Sequence, residues 1–71
     1  MSSEENFRRL GLSVIVLEEK MEELKTYAQE MVRDKSKFDP DILKEISNRL
    51  VSATYELNQS YESYKRVKST H

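Results

Sequence analysis

The chain has 71 residues with no cysteine, and its twelve basic and thirteen acidic side chains leave a formal charge of −1. One small domain is the most this length allows, near the size where a single core supplies only about 3–5 kcal/mol. A disulfide framework and a Cys-based zinc site are excluded, and the near-balance of charge speaks against a nucleic-acid partner, which selects a basic excess or face. His71 is the sole histidine, so metal or triad chemistry built on histidine has no partners to draw on, and no metal or cofactor is expected.

Reading from the N-terminus, Ser2 followed by Glu5 fits a capping box, and the acidic start lacks the positive region of a signal peptide. Phe7, Leu10, Val14, Leu17, Met21, Leu24, Ala28 and Met31 then recur with alternating spacings of three and four. Under heptad lettering Phe7, Val14, Met21 and Ala28 are a positions, and Leu10, Leu17, Leu24 and Met31 are d positions. A helix over about 3–34 follows. Gly11 inside it costs about 1 kcal/mol relative to Ala and marks fraying, a bend or a close approach by another helix. The longest apolar run, Val14 to Leu17, is far short of the roughly 20 residues that cross a bilayer. No membrane partner is expected, and the cytoplasm is the expected location.

The short polar stretch at 35–39 forms a loop, with helix 1 fraying around Arg33 to Lys35. Asp39 is a good N-cap because its carboxylate can accept orphan amides of the next turn, and Pro40 suits the first helical position, which has no use for an N–H. Phe38 and Leu43 then fall where a hydrophobic staple places its two residues. Helix 2, over about 40–67, carries Leu43, Ile46, Leu50, Ala53, Leu57, Ser60, Tyr64 and Val67 at the same alternating spacing, and Lys65, Arg66 and Lys68 put cations near its C-terminal carbonyls. So short a connection makes the helices antiparallel neighbours. The expected fold is all-α: one domain over 1–71, a two-helix antiparallel hairpin with coiled-coil-like heptads and, at about +20°, a left-handed crossing.

Leu12, Ile15, Val16 and Val32, with Ile42, Val51, Tyr55 and Tyr61, lie off both seams. Burying one such aliphatic side chain fully is worth about 1.5–3 kcal/mol, so the hairpin is expected either to pair with itself as a four-helix bundle or to dock on a partner. No phosphate-binding Gly-rich loop, HExxH, GxSxG or Ca²⁺ loop is present, which argues against a self-contained active site. A polar row on helix 2, Glu45, Ser47, Asn48, Arg49, Ser52, Glu56, Asn58 and Gln59, is the place where a water can be oriented toward an acyl phosphate held by another protein.

Residues 15 to 64 resemble the small sporulation-type aspartyl-phosphate phosphatases, helical hairpins that dephosphorylate a response regulator. The resemblance is carried by Ile15 and Met21 on the first helix, by Phe38 and Asp41-Ile42-Leu43 at the turn, and by Ile46-Ser47-Asn48-Arg49-Leu50-Val51 on the second. That family reads Ser-Gln-Glu-Leu-Asp on its second helix, and the closing acid is implicated in catalysis. Here Arg49 reverses the charge of the Glu and Val51 replaces the Asp. If the resemblance implies activity, Asn48 or Gln59 positions the water.

The expected function is that of a small regulatory module that binds a larger cytoplasmic protein through an apolar helical face made of Leu12, Ile15, Val16, Val51, Tyr55 and Tyr61. The alternatives are a structural homodimer and the phosphatase.

Overall fold

The computed structural model describes residues 3–69 and consists of helix α1 over Ser3–Arg33, a 3-10 turn over Lys35–Lys37 and helix α2 over Pro40–Ser69. The hairpin is all-α, a rod of 55 × 15 × 13 Å. Ser2, of the expected capping box, and His71 lie outside the described residues, as does the side chain of Lys68.

The turn is built from two Asx caps. The last turn of α1 closes with the Asp34 amide donating to the Glu30 carbonyl at 2.9 Å. Asp34 then leaves the helix in an extended conformation, and its carboxylate accepts from the Ser36 amide at 3.1 Å and the Ser36 hydroxyl at 2.7 Å. An aspartate that bonds the backbone two residues on makes a local turn of its own, which is why the chain turns here without glycine. Asp39 starts α2 as its type predicts: its carboxylate accepts from the Asp41 amide at 2.9 Å and its carbonyl from the Leu43 amide at 3.1 Å.

α2 turns the expected line inward. Leu43, Leu50, Leu57, Tyr64 and Val67 are half-buried and Ile46, Ala53 and Ser60 are buried. On α1 the expected line is corrected by one row. The buried and half-buried residues are Asn6, Leu10, Ser13, Leu17, Lys20, Leu24, Tyr27 and Met31, with Glu23 beside them, whereas Phe7, Val14, Met21 and Ala28 are exposed. At about 3.6 residues per turn, the Leu10 row runs down the middle of α1, with the Asn6 row on one side and the Phe7 row on the other. One neighbouring helix covers two adjacent rows, and α2 takes the Leu10 and Asn6 rows.

Polar links between the helices favour that choice, and those that follow lie on the Asn6 side. The Ser13 and Ser60 hydroxyls share a hydrogen bond of 2.8 Å. The Tyr27 hydroxyl donates to the Asp39 carbonyl at 3.0 Å and accepts from the Asp39 amide at 2.7 Å. Arg49 reaches Glu23 at 2.8 Å. The small side chains of Ala53 and Ser60 let the helices approach there, so what the hairpin encloses most completely is small: among the described residues the buried apolar side chains are Ile46, at 8% exposure, and Ala53, at 5%. Gly11 has nothing within 4 Å of where a Cβ would stand, so within the hairpin it marks no close approach.

Candidate functional site

The two long edges of the seam differ in chemistry. Beyond the Asn6 row of α1 stand Val16, Glu23 and Glu30, and beyond the Ile46 row of α2 stand Ile42, Arg49 and Glu56. The Glu23–Arg49 pair shows that these rows share one edge. The ion pairs extend along it, since Arg49 also donates to Glu45 at 2.6 Å and Lys20 to Glu23 at 3.2 Å. The hydrogen bond to Glu45 and its negative charge, then Glu23, push the Arg49 guanidinium above its already high ordinary range. Val16, Lys20, Glu45, Asn48, Arg49, Ser52, Ala53 and Glu56 line an open groove of about 450 Å³ on this edge.

Among the described side chains the opposite edge carries no charge. On α1 it consists of the Phe7, Val14, Met21 and Ala28 row beside the Leu10, Leu17, Leu24 and Met31 row. On α2 it consists of the Leu43, Leu50, Leu57 and Tyr64 row beside Ser47, Thr54 and Tyr61. Six of the chain's seven leucines stand on it, each only half-buried. Phe7, Val14 and Met21 are 61%, 46% and 54% exposed. Near one end Phe7 and Tyr64 meet with ring centroids 5.8 Å apart at 52°, a tilted aromatic pair that ties the helices across this edge. The result is a continuous apolar strip, open along the length of the hairpin. Its rim carries Glu18 and Lys25 on α1, and Lys44, Asn58 and Lys65 on α2, interspersed with Gly11, Val32 and Val51.

The residues expected to bind a partner are all exposed, but they are not gathered on one surface. Tyr61 belongs to the uncharged strip and Val51 lies at its rim. Tyr55 is on the back of α2, Leu12 and Ile15 are on the side of α1 turned away from α2, and Val16 is in the charged groove. Of the two water-positioning candidates, Asn48 lines that groove, and Gln59 lies on the Glu45–Ser52 row one heptad past Ser52. Heptad spacing assigns the strip's main α1 residues, Phe7, Val14 and Met21, to a core, whereas the fold leaves them on the surface. Among the described residues no group of His, Cys, Asp and Glu is placed to hold a metal ion, and no helix is long and apolar enough to cross a membrane.

No protein-family model, curated protein or solved structure matches this chain.

Proposed function

We propose that the protein is a binding module of the cytoplasm, a regulator that acts by docking its uncharged strip and not by catalysing a reaction. The observation that carries this is the half-buried state of every leucine in the seam, set beside an exposed Phe7–Val14–Met21 row and free of any charge that would keep the strip hydrated. Contiguous apolar surface of this kind on a small protein marks an interaction site, and helices that present anchors at heptad spacing are read by other helices. A photo-cross-linking side chain placed at Met21 or Thr54 is expected to give covalent adducts in cells, with far fewer from the same probe at Ile15 or Glu19. Equal yields from all four positions, or none, would remove the docking role.

An alternative activity is supported by the groove on the charged edge, where Glu45, Asn48, Ser52 and Glu56 stand together around about 450 Å³. There the Asn48 amide would orient a water toward an aspartyl phosphate presented by a response regulator, in keeping with the resemblance to the sporulation-type phosphatases. The regulator would supply its own metal and most of the electrostatics. Adding the chain should then shorten the acyl-phosphate lifetime, and Asn48→Ala should restore it. An unchanged lifetime with the native chain excludes this activity for that regulator.

A further inference from the structure

We propose that the occupant of the uncharged strip is a second copy of this chain, packed strip to strip into an antiparallel four-helix bundle. This rests on the docking role above and names its partner. Three observations converge on it: area, row geometry and rim charge.

A compact monomer of this mass, 8.4 kDa, exposes about 4600 Å². The hairpin exposes 5768 Å², an excess of roughly 1100 Å² per chain on that scaling. Two copies that lose this excess to each other bury about 2200 Å² together, inside the range of obligate homodimers, about 2000–5000 Å².

The rows carry the same message. A helix that meets one neighbour needs two apolar rows, whereas a helix inside a bundle needs about three in seven. α1 has the third row, Phe7–Val14–Met21–Ala28. On α2 the corresponding row, Ser47, Thr54 and Tyr61, is uncharged and small except at Tyr61. The leucine rows then become central in both helices, with one flank turned to the other helix of the same chain and one to the second copy.

Rim charge selects the register. A two-fold contact is reciprocal: if one residue meets another, the second meets the first. Laying α1 antiparallel on α1 of the second copy with Met21 opposite Met21 brings Glu18 of each copy to Lys25 of the other, twice. Within the hairpin, Ser13 faces Ser60 and Glu23 faces Arg49. That alignment puts Val51 at the same level as Met21, so the same axis sets Val51 against Val51 and Lys44 against Asn58 on the α2 side. Sliding the axis to Glu18 would bring Glu18 onto its own copy, a repulsive contact. In this register Glu18, Lys25 and Lys44 meet no like charge on the second copy.

Light scattering of the full chain across concentration should give twice the chain mass. Val14→Glu and Met21→Glu, at positions exposed in the hairpin, should shift it to the single-chain mass, while Ile15→Glu should not. Glu18→Lys and Lys25→Glu should each weaken association, roughly five-fold from two surface pairs, and the double exchange should recover it. Far-ultraviolet circular dichroism at high concentration separates loss of pairing from loss of helix. A helical native chain that stays monomeric to hundreds of micromolar overturns the second copy but not docking; Met21 cross-links to a different protein would then identify the true occupant. A dimer untouched by Val14→Glu and Met21→Glu overturns strip-to-strip pairing. Failure of the double exchange to recover association overturns the antiparallel register.

Discussion

The hydroxyl of Tyr27 accepts from the Asp39 amide and donates to the Asp39 carbonyl, so one phenol on α1 anchors the residue that caps α2. Tyr27→Phe keeps the ring and removes both bonds. With a half-buried amide left unpaired, a loss of about 1–2 kcal/mol in urea unfolding is expected. Asp39→Ala should cost about 1 kcal/mol through the N-cap, and since the two act on one residue their effects should not add. Ser13 and Ser60 behave differently. Ser13 also donates to the Arg9 carbonyl at 3.0 Å, and replacing both serines by Ala removes a buried polar pair together, so the double change should be close to neutral. Arg49 sets no pH dependence near neutrality. Its raised folded-state value means that the stability it contributes is fully present below the unfolded value and is lost only as the pH climbs through the raised one, beyond the alkaline range in which the fold is normally studied. Salt, by contrast, should weaken its exposed pairs.

At the scale of the helix, Gly11 is the clearest opening for change. Nothing lies within 4 Å of a Cβ built there and the helix runs through it, so Gly11→Ala should stabilise the hairpin by about 1 kcal/mol, visible as a higher thermal midpoint. A lower midpoint would mean that a second copy comes close to Gly11, which stands on the rim of the strip. The two helices were not equally legible. α2 has a single apolar pair of rows, and periodicity alone identifies its seam from Leu43 to Val67, with half-buried Ser63 the one addition. α1 has apolar residues in adjoining rows, and its period is satisfied by any adjacent pair. Which pair faces α2 was decided by Ser13, Tyr27 and Glu23, polar residues whose partners are 47, 12 and 26 positions away in sequence. No local pattern encodes those links. The Asp39–Pro40 start was readable because capping depends on residues within one turn, whereas the cap at Asp34 is weaker in sequence, an aspartate among lysines and a serine.

For the whole molecule, the same off-by-one row changes what the surface means. Phe7, Val14 and Met21 read as core while the surplus residues Leu12, Ile15 and Val16 read as the binding face. Once α1 is rotated, the former become the α1 flank of an apolar strip and the latter divide between the back of α1 and a groove lined by ion pairs. The surplus of apolar surface was legible from composition and period, but its position was not, because it depends on which rows the hairpin itself consumes. What remains after that subtraction is a hairpin with a small enclosed core and a long uncharged edge. The proposed second copy would cover that edge, so the thermal midpoint should rise with protein concentration, as for any fold linked to association.

Small-angle X-ray scattering with absolute mass calibration tests that picture most directly. The single hairpin has a Cα radius of gyration of 16.2 Å and a length of 55 Å. Strip-to-strip pairing predicts twice the chain mass with the length nearly unchanged and the cross-section enlarged. A single-chain mass at every concentration, or a doubled mass accompanied by a doubled length, would contradict it.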